Sequence, residues 1–259
     1  TGRRATALAS TMTDRRTIAF LGVMLVALLA CGPALAESLR VMSFNIRFGT
    51  ADDGDNSWPA RRVLVADTIR RFDPHILAVQ EALRFQLDEL HEAFPLFGEV
   101  GVGRDDGKEA GEYAAILFNR NRIEHRESGT FWFSEQPYQV GSIAWDTQIP
   151  RICTWLKVRE RATNDEFYVF NVHWDHQSQR SRQNSAKLLL ERLPRAGPVI
   201  VCGDFNAGEE NNAFLALVTN DKTPLRDTFR QLHSDATEVR TYHGFRGHTE
   251  GPKVDAVLV

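Results

Sequence analysis

From residue 38 onward the apolar positions alternate between two periods, and the change of period marks the elements. Ser-Leu-Arg-Val-Met-Ser-Phe-Asn, residues 38–45, alternates and predicts a strand ending on Asn45, followed by a polar loop over residues 49–57. Trp58-Pro59 opens a helix, since proline suits the first turn, with Val63, Leu64, Ala66, Ile69 and Phe72 as its apolar stripe; Asp73-Pro74 stops it. Ile76-Leu77-Ala78-Val79 reads as a strand ending at Gln80-Glu81, and residues 83–94 as a helix with Leu83, Leu87, Leu90 and Phe94 on one face. Residues 98–111 form a glycine-rich, charged loop.

The second half of the chain follows the same logic. Residues 113–118 predict a strand, a turn covers 119–121, a further strand lies around 123–128, and 130–133 are aromatic and extended. Pro150-Arg151 leads into a strand over 152–158 with Arg151 at its start, and the strand over 167–172 delivers His173. Residues 177–193 form a helix anchored by Leu188, Leu189 and Leu190. Pro198-Val199-Ile200-Val201 is a buried strand, after which Gly203 lets the backbone turn. Asp204 and Asn206 follow, one residue apart, a spacing that can aim both side chains at one point beyond the sheet. A helix over 211–218, a loop-rich tail carrying His243 and His248, and a strand over 253–259 complete the chain. Strands alternate with helices but also come in pairs, which predicts an α/β fold with a mixed sheet or two packed sheets.

Composition changes this picture little. The 259 residues are 42% hydrophobic and 25% charged, with no repeat or linker, which suits a single large domain over residues 37–259. A net charge of -3 supplies no overall basic field, so a general DNA binder is disfavoured while a local basic patch stays open. The N-terminus does add something. Met12, then Arg15-Arg16, the apolar run 18–30 and Ala34-Leu35-Ala36 read as an extension and secretory signal over residues 1–36, and imply export. The same stretch holds Leu28-Leu29-Ala30-Cys31, a lipoprotein-like box that would leave Cys31 lipidated and the protein tethered to a membrane. Cys153 and Cys202 remain; with the 167–172 strand between them their backbones stand about 9–10 Å apart, beyond the reach of a disulfide, so both are expected as buried thiols.

Polar residues fall at the strand boundaries: Asn45, Glu81, Arg151, His173, Asp204 and Asn206. Each alone has an ordinary structural explanation as a turn residue, a helix-start acid, an edge charge or a core histidine. Together they offer two carboxylates, an imidazole, a guanidinium and two amides, the kit that metal-assisted phosphoryl hydrolysis needs. Ser43-Phe44-Asn45, Gln80-Glu81, Asn171-Val172-His173-Trp174-Asp175-His176, Gly203-Asp204-Phe205-Asn206-Ala207 and Lys253-Val254-Asp255, in that order, resemble the endonuclease/exonuclease/phosphatase superfamily. The stretches over 101–108 and 150–155 look like a secreted bacterial branch of it.

The resemblance implies a four-layer α/β sandwich of two packed mixed β-sheets flanked by helices. Carried over, Glu81 would hold Mg2+ or Mn2+ with Asn45 close by, and Asp204 would orient or deprotonate the attacking water. Asn206, His173 and Arg151 would bind the phosphoryl oxygens, and Asp255 would align a catalytic histidine. Family members carry that histidine in a Ser-Asp-His beyond the strand bearing Asp255, whereas this sequence stops at Val259. The C-terminal strands are therefore expected to be missing and activity impaired, with His243 and His248 as surface residues. The substrate is expected to be a phosphorylated small molecule, a lipid head group or a nucleic acid, acted on by a monomer without a protein partner. Two other readings stay open: a phosphate-binding remnant without turnover, and an exported lipid phosphodiesterase whose Phe131, Trp132 and Phe133 touch a membrane.

Overall fold

The computed structural model describes residue 1 and residues 38–222 and 224–259, and the unit Leu39–Val259 carries everything below. The stretch read from sequence as a secretory signal, and Cys31 within it, lie outside the described residues.

Among the described residues the strands form two sheets. The first runs in the order β1 (Val41–Asn45), β2 (Ile76–Ala82), β4 (Tyr113–Asn119), β3 (Phe97–Val100), with β1 and β2 parallel and the other pairs antiparallel. The second runs β5 (Ile123–Trp132), β6 (Ile152–Glu160), β7 (Glu166–His173), β8 (Val199–Asp204), β9 (Asp255–Leu258), with β7 and β8 as its parallel pair. The helices are α1 (Trp58–Phe72), α2 (Arg84–Ala93), α3 (Gln179–Arg192), α4 (Asn212–Val218) and α5 (Thr228–Leu232).

Alternation along the strands sorts the side chains into three apolar layers. Ile76, Ala78, Ile116, Leu156, Val158, Val169, Ile200 and Cys202 pack together between the sheets. Their neighbours Leu77, Val79, Ala115 and Leu117 pack with Val65 and Ile69 of α1 and Leu87 and Leu90 of α2. On the second sheet Cys153, Phe170, Val172 and Val201 pack with Leu189 of α3 and Phe214 and Leu217 of α4. Each Val, Leu, Ile or Phe among them contributes about 1.5–3 kcal/mol when fully buried. The result is the expected four layers, helix, sheet, sheet and helix.

One polar tie crosses the middle layer. Gln80 and Asn171 are both fully buried, and Gln80 Nε2 donates to Asn171 Oδ1 at 2.7 Å. Asn171 Nδ2 in turn donates to the carbonyls of Val79 at 2.9 Å and Ala115 at 2.8 Å. The tie binds β7 to β2 and β4 directly beneath the ends of the strands, where the polar residues of interest emerge.

Several expectations need correction. Of the α1 stripe only Ile69 is buried; Val63 and Leu64 are 65% and 63% exposed, and the buried positions are Trp58, Val65 and Ile69. Val63 and Leu64 sit about 160° and 100° round the helix from Val65, so the sheet selected a different phase of a helix apolar on several sides. The glycine-rich loop begins later than expected, because β3 passes through Gly98; a Cβ there would strike the Phe118 ring at 2.4 Å, so the glycine makes room for an aromatic and does not break the strand. Gly129 does the same beneath the Trp155 indole, and the two extended segments at 123–128 and 130–133 are one strand, β5. Phe131, Trp132 and Phe133 are buried at 3%, 4% and 0%, which removes them as membrane contacts. Cys153 and Cys202 are buried free thiols on either side of β7, opposite Val172 and Asn171.

Candidate active site

The parallel pairs bring the C-terminal ends of β1, β2, β7 and β8 to one rim of the sandwich, and β9, antiparallel to β8, starts there. Register then dictates the neighbours: His173 lies beside Asp204, and Asp204 lies opposite Asp255. Two local departures aim the acids. At Glu81 the backbone turns left-handed, φ 61°, where β2 bulges between Gln80 and Ala82. Gly203 has φ 139°, and a Cβ on it would lie 2.1 Å from the Val172 carbonyl oxygen, so only glycine lets β8 approach β7 this closely just before Asp204.

The sequence-predicted residues converge. Ligand-type atoms of Glu81, His173 and Asp204 all lie within 4.8 Å of one another. Asn45 donates its amide to Glu81 Oε1 at 2.8 Å and to Asp204 Oδ2 at 3.0 Å, while its Oδ1 accepts from Arg47 N at 2.9 Å. Its contribution is to tether the two carboxylates. Asn206 donates its backbone N–H to Asp204 Oδ1 at 2.8 Å and one side-chain N–H to the Trp174 carbonyl at 2.9 Å, which leaves the second amide proton for a ligand. Burial pushes the Asp204 carboxyl up, against the hydrogen bonds from Asn45 and Asn206. Asp255 is pushed up to about 7 by burial and by the Asp204 charge across the ladder. Its Oδ1 is buried without a hydrogen-bond partner among the described residues. His243 and His248 are exposed in the tail, as expected.

Arg151 is held at three points on the other flank of the site. Nε donates to Asp175 Oδ2 at 3.3 Å, Nη1 to His173 Nε2 at 3.0 Å and Nη2 to His176 Nδ1 at 2.6 Å. A guanidinium has no acceptor, so both imidazoles must accept from it. His173 then carries its proton on Nδ1, which faces Glu112 Oε2 at 3.7 Å, and exposed His176 carries its own on Nε2, free to donate. Burial first and Arg151 second hold both histidines below the usual imidazole range, His173 the more strongly. Glu112 is clasped in turn by Arg104, with Nη1 and Nη2 each 2.7 Å from a carboxylate oxygen.

Four of these residues, Arg104, Glu112, Asp175 and His176, were given no role in the sequence reading. Glu112 immediately precedes β4 and Arg104 lies in the glycine-rich loop before it. The boundary rule that found Arg151 also covers Glu112, but the loop hides Arg104 because its position depends on folding back onto Glu112.

The donor set fits a divalent cation. Two carboxylates are tethered side by side by Asn45, with Arg47 Nη1 3.7 Å from Glu81 Oε2, and hard oxygen donors suit Mg2+ or Mn2+. A layered α/β sandwich that gathers acids, imidazole and guanidinium at one rim defines a phosphoester hydrolase fold. Residues 42–259 match the Endonuclease/Exonuclease/phosphatase family, and the chain belongs to it. An endonuclease/exonuclease/phosphatase from Bacteroides vulgatus superposes with a TM-score of 0.75 at 30% identity, covering 85% of this chain and 86% of that one. A mannosyl-6-phosphatase from Bacteroides thetaiotaomicron is 31% identical with a TM-score of 0.72, covering 85% of each chain. An uncharacterized protein of Acanthamoeba polyphaga mimivirus is 27% identical over 228 residues, 76% of this chain and 84% of its own length.

Proposed function

We propose that this protein is a divalent-metal-dependent phosphoesterase that hydrolyses a phosphate ester by in-line attack of water. The observation that carries the reading is the convergence of Glu81, His173 and Asp204 within 4.8 Å at the rim of this family's fold. Glu81 would hold Mg2+ or Mn2+, with Asn45 tethering its carboxylate to that of Asp204. The bound ion would supply Lewis-acid stabilisation of charge on the phosphoryl oxygens. Asp204, kept in place by Asn45 and the Asn206 backbone, orients the attacking water and accepts its proton; burial makes this carboxylate a better base than one in water. The free N–H of Asn206 and the charge of Arg151 meet the phosphoryl oxygens as negative charge builds on them, while His173, with Nε2 accepting from Arg151 and Nδ1 facing Glu112, holds Arg151 in place and has no N–H left for them. The substrate is a phosphorylated small molecule or a nucleic acid, which accords with a neighbour that is a mannosyl-6-phosphatase.

The test is Mg2+-dependent hydrolysis of a phosphomonoester and a phosphodiester by wild type, Glu81→Gln and Asp204→Ala. Each substitution is expected to lower kcat by about 10²–10⁴-fold. Full activity in either variant would remove the mechanism. A second reading, phosphate binding without turnover, is favoured by the buried Oδ1 of Asp255, which has no hydrogen-bond partner among the described residues and so nothing to pass a proton to or from. Calorimetric binding of a phosphate ester with no product formed by wild type would select it.

A further inference from the structure

One cation at the rim has no part in the mechanism. Arg47 follows β1 with its backbone left-handed, φ 61°, a conformation that a side chain disfavours and glycine adopts freely. It is held there from both sides: Asn45 Oδ1 accepts its N–H at 2.9 Å, and the buried Gln86 amide donates to its carbonyl at 2.9 Å. The guanidinium is fixed as firmly. Nε and Nη2 each donate to one oxygen of Asp53 at 3.2 Å, and Cζ lies 4.5 Å from the centroid of the Phe48 ring. That fork leaves Nη1 without a hydrogen-bond acceptor among the described residues, 3.7 Å from Glu81 Oε2, on a side chain that is 42% exposed.

Resting on the phosphoesterase reading, we infer that Arg47 binds a third terminal oxygen of the phosphoryl group, so that the site takes doubly charged phosphomonoesters in preference to phosphodiesters. Charge gives the first reason. A guanidinium this close to the carboxylate that would hold a divalent ion opposes that ion, and an anion joining the two relieves the repulsion. Counting oxygens gives the second. A diester presents two terminal oxygens, and an ion at Glu81 together with Asn206 and Arg151 on the second sheet's side meets both. A monoester presents a third oxygen and a second negative charge, which match the open Nη1 and the added charge of Arg47. A surface ion pair with Asp53 needs neither a left-handed backbone nor an Nη1 left open beside Glu81.

Two compounds titrated calorimetrically with Mg2+ present test this: phenylphosphonate, doubly ionised in alkaline buffer with three terminal oxygens, and its monomethyl ester, singly charged with two. Wild type is expected to bind the first about 10- to 100-fold more tightly, the range of one hydrogen bond to a charged group. Arg47→Gly should narrow that ratio about tenfold and keep the melting temperature within a few degrees, since glycine suits the left-handed backbone. Arg47→Gln should narrow the ratio equally. Glu81→Gln should weaken both compounds, and its failure to do so counts against the phosphoesterase reading alone. A wild-type ratio near one, a ratio unchanged in both Arg47 variants, or variants that melt much lower and lose both compounds alike would overturn the assignment.

Discussion

Replacing Asn171 by Leu tests whether the buried tie between the sheets governs both stability and the site. The side chains are close in size, so the change removes hydrogen bonds without opening a large cavity. Three bonds go: Gln80 Nε2 to Asn171 Oδ1 at 2.7 Å, and Asn171 Nδ2 to Val79 O at 2.9 Å and Ala115 O at 2.8 Å. At about 1 kcal/mol each, with a further penalty for buried groups left without partners, the loss is roughly 3–4 kcal/mol. Gln80 Nε2 retains only long contacts, 3.3 Å to Ser43 Oγ and 3.3 Å to Ala78 O, and does not recover the difference. For a unit of this size that corresponds to a melting-temperature drop of about 6–16 °C. Urea denaturation followed by tryptophan fluorescence gives the free energy, and thermal melting gives the shift. Since the tie joins the strand carrying Glu81 to the strand carrying His173, kcat should fall as well, with KM less affected. A loss under about 1 kcal/mol, or a stabilisation as seen when buried polar groups are cleanly replaced by apolar ones, would refute the claim that these amides hold the sheets in register.

Other perturbations give equally direct outcomes. Gly203→Ala forces a Cβ to 2.1 Å from the Val172 carbonyl at a φ of 139°, so it should cost over about 3 kcal/mol and displace Asp204, seen as lowered melting and lost turnover together. Arg151→Lys keeps the charge but cannot reach His173, His176 and Asp175 at once, and should lower kcat on the order of ten- to a hundredfold while leaving the metal requirement in a Mg2+ titration unchanged. The Asp255 carboxyl, 3.8 when unperturbed and about 7 in the folded chain, holds a proton that the unfolded chain has released. Its contribution to stability is therefore present at low pH and declines as pH rises from about 4 to about 7, and denaturation across that range should show Asp255→Asn losing less stability with rising pH than wild type. Glu112→Gln removes the carboxylate between Arg104 and His173 and should shift the pH–rate profile without changing the melting temperature by more than a few degrees.

How much of this was legible in the sequence depends on whether a residue's placement is local. Asn45, Glu81, His173 and Asp204 end strands whose period is plain, and two parallel pairings suffice to bring such ends to one rim. The thiol pair follows the same rule, because one intervening strand fixes the separation. Periodicity failed where more than one face of an element was apolar: the residues of α1 cannot say whether Val65 or Leu64 meets the sheet, since that choice is made by packing against Leu77, Val79, Ala115 and Leu117 of the first sheet. Glycine was misread where its value is space and not flexibility, as at Gly98 under Phe118.

The least legible part of the site was the chain of charges behind His173. Arg104, Glu112, His173, Arg151 and His176 come from a loop, two strand starts, a strand end and the turn after it, so no spacing announces them. What joins them is an alternation of groups that can only donate with groups that must accept, and that alternation fixes each imidazole's proton. Arg151 assigns Nε2 of His173 as the acceptor, which directs the remaining N–H toward Glu112, whose own charge is answered by Arg104. Burial strengthens the argument, since a misplaced proton here would leave a buried acceptor facing an acceptor. The tautomer of His173 is thus set by Arg151 directly and by Arg104 through Glu112, away from Glu81 and Asn45, and substitution at either Arg104 or Arg151 should change the same imidazole resonance in the NMR spectrum.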